Sequence, residues 1–363
     1  MEKIPVYQPY LLGNEKKYVN ECLDSNWISS KGEFIGRFEK KFAEFIDVKH
    51  ATSVCNGTVA IHLALLACGI QPGDEVIVPS LTYVASVNTI LQAGAIPVFV
   101  DSLFDTWQID VEDVRRKLSP KTKAVMAVHL YGHPCDLQSL TAICRENNLY
   151  LIEDCAEAFG SYYEDKHVGT FGDIATFSFF GNKTLTTGEG GMVITNHTDV
   201  HHRAANLKNQ GISSTVQYWH DVPAYNYRMT NICAAIGLSQ MEYIEVILAK
   251  KRQIAEWYAH ALQGLPLSTH EEAKNVKHSY WMCSILLNEA KHRDPLRHHL
   301  DQAGIETRPM FYPAHLFPMY ASSSESHPVA ESLGSRGMNL PSWPGLEHEQ
   351  VTRIANKIAE YFN

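Results

Sequence analysis

The sequence predicts an α/β fold, a mostly parallel central sheet with helices on both faces, followed by a smaller α+β unit. Three observations predict it. Between residues 75 and 196, apolar runs of strand length alternate with helical patterns, as expected for parallel strands buried on both faces. From about residue 240 the pattern changes to a long helical stretch, one strand and two further helices. The chain has 363 residues, more than one core usually accommodates. The expected division is a large unit over 1–240, opening with a helical segment, and a small unit over 241–363.

Residues 14–25 and 33–46 carry the spacing of amphipathic helices. "NGTVAIHLALLACG" (56–69) reads as a helix with Asn56–Thr58 at its start. Strands are then expected at 75–80, 96–101, 123–130, 150–155, 174–180 and 191–196, with helices at 84–94, 110–118 and 136–148 between them. The last two strands are joined by a glycine-rich turn, and their close spacing predicts a local exception to the parallel pattern. One helix is expected over 240–262, a strand over 280–287, and helices near 293–303 and 347–361. "SSSESHP" (322–328) reads as a mobile loop.

Composition narrows the function. The chain is 45% hydrophobic and 20% charged, ordinary for a globular protein, with a net charge of −9. No basic stripe is present, which argues against nucleic acid as a partner. An anionic ligand would be met by local donors rather than by the overall field. No apolar run approaches a membrane span and none at the start has signal-peptide length, so the expected location is cytoplasmic. The eight cysteines are scattered without a C-x-x-C pair, and read as small core residues rather than disulfides or a metal site.

"GNKTLTTGEGG" (181–191) sets Lys183 in a polar turn directly after the strand "IATFSFF". It is not a nucleotide-binding P-loop, which needs glycine immediately before the lysine; here Asn182 stands there. In open α/β sheets ligands gather at the carboxyl ends of the strands. Asp154 closes "YLIED", Ser178 and Lys183 follow "IATF", and Asn56–Gly57–Thr58 opens a helix. A lysine, a carboxylate and a helix start able to cradle an anion are the parts of a pyridoxal phosphate site. Each has an ordinary alternative: a solvated lysine, a turn-forming aspartate, an N-cap. Tyr83 has the shape to stack on a flat ring or to fill core. "RPMFYPAHLFPMY" (308–320) places Arg308, Tyr312 and His315 among stiffening prolines, and "AYNYRMTN" (224–231) approaches a helix with Thr230 or Asn231 as cap.

"EDCAEAFG", "FSFFGNKTLTTGEGGM", "YNYRMTNICAAIG" and "FYPAHLFPMY" resemble the DegT/DnrJ/EryC1/StrS sugar aminotransferases, and the likeness runs from "VYQPYLLGNEKKYV" to "NLPSWPGL". The resemblance implies the fold type I, aspartate-aminotransferase-like architecture, with the large unit binding the cofactor. It implies pyridoxal 5′-phosphate, passing through pyridoxamine 5′-phosphate in the half-reaction. Lys183 would be the Schiff-base lysine and Asp154 the partner of the ring nitrogen. Gly57, Thr58 and Ser178 would hold the phosphate, Tyr83 would stack on the ring, and Glu157 would stand beside it. Asn226 would reach the phosphate in a partner subunit, giving a homodimer with shared sites. Ser29, Arg308, Tyr312 and His315 are implied near the substrate.

"AVHLYGHPCDLQSL", "YWHDVPAYNYRM" and "NLPSWPGL" resemble those members that aminate GDP-4-keto-6-deoxy-D-mannose at C4 with L-glutamate, yielding GDP-perosamine for O-antigen polysaccharide. Amination of a dTDP- or UDP-linked 4-keto sugar is the alternative, with a non-catalytic sensor on the same fold behind it. Related sugar dehydratases carry histidine at the lysine position, which Lys183 argues against. Two residues depart from the wider family: Glu157, where many members have glutamine although the perosamine-forming members resemble this chain, and His133, where glutamine is expected after "YG". His133 is thereby a candidate for tuning sugar binding.

Overall fold

The computed structural model describes residues 3–320 and 325–363. In chain order the strands of the first part are β1 (His50–Val54), β2 (Glu75–Pro79), β3 (Ile96–Val100), β4 (Thr122–Val128) and β5 (Tyr150–Asp154). There follow β6 (Tyr162–Tyr163), β7 (Lys166–His167), β8 (Ile174–Ser178) and β9 (Gly191–Thr195). The second part adds β10 (Leu267–Thr269), β11 (Val276–Lys277), β12 (Cys283–Leu287), β13 (Arg308–Pro309) and β14 (Gly337–Leu340).

Seven strands make the central sheet in the order β1-β9-β8-β5-β4-β2-β3. The pairs β2·β3, β2·β4, β4·β5 and β5·β8 are parallel. β9 is antiparallel to both β8 and β1, which is the exception expected around the glycine-rich turn. Two antiparallel steps restore direction, so β1 runs with the parallel strands and its carboxyl end lies at their edge. Side chains alternate across the sheet as the strand period requires. Ala124, Met126 and Val128 of β4 enter one core with Leu63 and Ala67 of helix Gly57–Ala67. Val125 and Ala127 enter the opposite core with Leu140 and Ile143 of helix Leu137–Glu146. At ~25 cal/mol per Å² of apolar surface buried, both faces stabilise the sheet.

A second, four-stranded antiparallel sheet, β10-β12-β14-β13, packs with helices Ile244–Ala261, Arg293–Gln302 and His348–Phe362 around its own core. The helix expected over 240–262 is in fact two, Asn231–Glu242 and Ile244–Ala261, bent by 67° at Tyr243. The first starts where Thr230 Oγ1 accepts the Cys233 N–H, the expected cap. It is buried nearly all round, with Gly237 pressed against Phe38, so it has no polar face by which its length could be read. Part of 322–328 lies outside the described residues; a helix, Pro328–Arg336, starts at its end. All eight cysteines are free. Among the described residues, no single helix is long and apolar enough to cross a membrane.

Buried histidines with fixed tautomers give the fold a pH dependence. His133 Nδ1–H donates to the Pro134 carbonyl and its Nε2 accepts the Ala273 N–H, at 2.8 and 3.2 Å. His278 Nδ1 accepts the Tyr280 N–H, so its Nε2–H donates to His270 Nδ1, and His270 Nε2–H donates to the Thr106 carbonyl. None of the three rings can take a proton without losing a bond. Burial pushes His133 down to about 4, and His270 and His278 well below the ordinary histidine value. Between that ordinary value and pH 4 the unfolded chain binds protons that the folded chain refuses, so stability falls as pH falls. His133 alone should cost about 2 kcal/mol at pH 5 relative to pH 7.5. The urea midpoint should drop between those pH values, and His133→Asn should reduce the drop.

Candidate active site

A cavity of about 870 Å³ opens at the carboxyl edge of the central sheet. Strand register explains who faces it. Asp154 ends β5, paired with Val128 of β4 on one side and Thr176 of β8 on the other. Ser178 ends β8, two residues further on. Helix Gly57–Ala67 starts beside them, its N-cap Asn56 accepting the Val59 N–H at 3.0 Å. The first N–H groups of a helix have no partner inside it, so those of Gly57 and Thr58 face the cavity with the positive end of the helix dipole behind them. Gly57 admits no larger residue: a Cβ there would lie 2.6 Å from Ser178 Cβ.

The turn carrying Lys183 is ordered and largely buried rather than solvated. Thr184, Thr186 and Thr187 are buried, and Thr186 Oγ1 and Thr187 N–H both donate to the Phe179 carbonyl. Two distant residues grip its backbone. Tyr7 OH donates to the Lys183 carbonyl and Trp281 Nε1–H to the Asn182 carbonyl, each at 2.7 Å. The Lys183 side chain is 13% exposed; its Nζ lies 3.7 Å from Glu157 Oε1 and 3.8 Å above the Trp281 ring. Burial lowers its pKa, against the pull of the Glu157 and Asp154 charges. The carboxylates respond in the opposite sense. Burial raises Asp154 even though Ser86 Oγ–H and the Ala156 N–H donate to its two oxygens, at 2.8 and 3.1 Å. Burial pushes Glu157 up to about 7, although its Oε2 accepts the Tyr131 N–H at 2.7 Å. Tyr131 takes a left-handed φ of 57° there, and its hydroxyl accepts the Phe311 N–H.

These residues fit pyridoxal phosphate. The cradle of Gly57, Thr58 and Ser178 offers donors to a phosphate, and its tight contact admits no side chain at Gly57. Asp154 is a buried carboxylate whose charge is opposed by its surroundings, so a protonated ring nitrogen would stabilise it. Lys183 is an amine brought toward neutrality inside the same cavity.

Of the residues singled out in the sequence, Gly57, Thr58, Tyr83, Asp154, Glu157, Ser178, Lys183 and Arg308 line the cavity. Asn226, Ser29, Tyr312 and His315 do not line it in the single chain. Asn226 and Ser29 are exposed, and Arg228 Nε–H donates to Asn226 Oδ1. Tyr312 lies under the Arg293 guanidinium. His315 is buried away from the cavity, with its Nδ1 2.5 Å from Ser80 Oγ and its Nε2 3.3 Å from Glu331. His133 is likewise enclosed by Pro134, Ala273 and His270, so it does not meet a sugar in this cavity. Sequence reading missed Ser86, Trp281, Phe311 and Asn339, all in the lining. Trp281 had a signal, since "SYWM" opens the strand expected at 280, but nothing local says which cavity it meets.

Comparison with known proteins agrees with this geometry. Residues 9–359 match the profile of the DegT/DnrJ/EryC1/StrS aminotransferase family. Curated relatives include GDP-perosamine synthases of Escherichia coli O157:H7, 58% identical over all of both chains, and of Vibrio cholerae, 57% identical over 99% of each. Among solved structures, Helicobacter pylori PseC, an aminotransferase involved in the biosynthesis of pseudoaminic acid, superposes with a TM-score of 0.95 at 26% identity over 99% of each chain. The PLP form of a putative sugar aminotransferase from Streptococcus pneumoniae also gives 0.95, at 25% identity over 99% of this chain and 98% of that one. The chain belongs to the DegT/DnrJ/EryC1/StrS aminotransferase family, whose cofactor, pyridoxal 5′-phosphate, it shares.

Proposed function

We propose that the chain transfers the amino group of L-glutamate to C4 of GDP-4-keto-6-deoxy-D-mannose, forming GDP-perosamine. The observation that carries this reading is end-to-end identity of 58% and 57% to relatives named for that product. The cavity supports it with a buried amine, a buried carboxylate and an anion cradle at one strand edge.

When bound, pyridoxal phosphate supplies an electron-accepting ring that acidifies the C–H bond beside an attached amine. The chain's residues do the rest. Gly57, Thr58 and Ser178 would anchor the phosphate. Asp154, aligned by Ser86 and Ala156, would hold a proton at the ring nitrogen. The Lys183 amine, once free, removes the proton from the donor carbon and returns it as acid and base. Glu157 stands at its side and favours its charged form, against the burial that opposes it. Tyr83 would cover the cofactor's ring, while Trp281 and Phe311 line the cavity with apolar surface that would exclude water. Arg308, half-exposed at the cavity, meets the anionic diphosphate or the glutamate carboxylate.

The division at residue 240 belongs to the same proposal, with Trp281 and Arg308 brought to the cavity by the smaller unit. So does a homodimer, in which exposed Asn226 reaches the partner's phosphate site. A cytoplasmic setting and a role in O-antigen synthesis complete the reading. Glutamate-dependent amination of GDP-, dTDP- and UDP-linked 4-keto sugars, assayed in parallel, should favour the GDP sugar by at least tenfold in kcat/KM. Equal or better use of a dTDP or UDP sugar overturns the nucleotide assignment.

A further inference from the structure

Lys251 is completely buried on helix Ile244–Ala261 and meets no carboxylate among the described residues. A buried ammonium without a counter-ion is costly and needs a reason. Its Nζ donates to two backbone carbonyls, Trp281 at 2.9 Å and Ser342, and lies 5.4 Å from the centroid of the Tyr7 ring. Trp281 and Tyr7 are the same two residues that grip the Lys183 turn. One ammonium therefore sits at the root of both grips. Trp281 contributes further: its ring is the surface against which the Lys183 ammonium rests, 3.8 Å from the centroid, a cation–π contact inside a desolvated site.

We infer that Lys251 is a positioning residue for Lys183, acting through Trp281 and Tyr7 to fix the backbone of the turn and the aromatic face on which the reactive amine lies. Trp281 is the element of this relay that touches the Lys183 side chain, and Tyr7 the one that touches its backbone. The arrangement ties the amine, on the turn after β8, to the segment preceding β12 and to the N-terminal segment at once. A lysine suits the junction because its three N–H donors reach two carbonyls from a single nitrogen, while its charge favours the Tyr7 ring.

The inference rests on Lys183 being the reactive amine, but not on the sugar or donor. Its test reads the amine directly. In the full-length chain freed of cofactor, acylation of Lys183 by a small amine-directed anhydride is followed by peptide mass spectrometry across pH. The charged groups facing Lys183 are Glu157 and Asp154, and they are unchanged in every variant. Loosening the relay admits water to the ammonium, which raises the pH at which it loses its proton. Lys251→Met should shift the labelling midpoint upward by about one pH unit, a roughly tenfold loss of labelling rate at fixed pH below it. Tyr7→Phe, which deletes one hydroxyl, should shift it less but also upward. A folded Lys251→Met with the wild-type midpoint overturns the inference. Should that variant fail to fold, a wild-type midpoint in Tyr7→Phe overturns it instead. Glutamate-driven turnover is absent from this assay, so a wrong substrate leaves its result intact.

Discussion

Lys183→Ala should lose glutamate-dependent amination by at least about four orders of magnitude, the upper range for a positioned proton-transfer group. Lys183 Nζ is buried against Trp281 and Glu157, and its turn is pinned at both Asn182 and Lys183 carbonyls. Removing the side chain leaves those pins in place, because they use the backbone. The variant should therefore fold with near wild-type thermal stability and still bind the cofactor through the Gly57–Thr58 cradle and Asp154, while failing to turn over. Appreciable turnover would mean that another base serves the reaction.

Asp154→Asn should cost about three orders of magnitude in the half-reaction with glutamate, measured as the rate at which the visible band of the bound cofactor is lost. The amide keeps the shape and a partner for Ser86 or Ala156, but removes the negative charge that would hold a proton at the ring nitrogen. Stability should move little or rise, since burial opposes that charge in the folded chain. A large loss of rate without loss of stability separates this role from a structural one. A variant as fast as wild type removes Asp154 from the chemistry.

The six strands expected between 75 and 196 were legible because each is a short apolar run closed by turn residues, and they form within one or two residues of where the pattern puts them; the two-residue strands β6 and β7 were not, since they carry no apolar run. β1 escaped because "HATSV" is polar and half-buried at the sheet edge, where neither an apolar run nor a clean alternation survives. Helix Thr198–Lys208 escaped for a related reason: only Val200 and Ala204 are buried along it. Cavity residues contributed by strand ends were readable, since the rule that ligands gather at carboxyl edges needs only the strand boundaries. His315 shows the limit of that reading. A histidine in a proline-stiffened loop looks available, yet contacts with Ser80 and Glu331 place it inside the fold. Trp281, Tyr7 and Lys251 show the converse. Each is unremarkable locally and acquires a role only when the chain brings segments 99 to 176 residues apart onto one turn.

The central claim is that Lys183 is the amine that carries the cofactor. Borohydride reduction of the purified protein, followed by peptide mapping, tests it most directly. The account predicts a single phosphopyridoxyl group on the peptide containing Lys183, and none after prior incubation with excess glutamate. The same group fixed on any other lysine, or unaffected by glutamate, would contradict it.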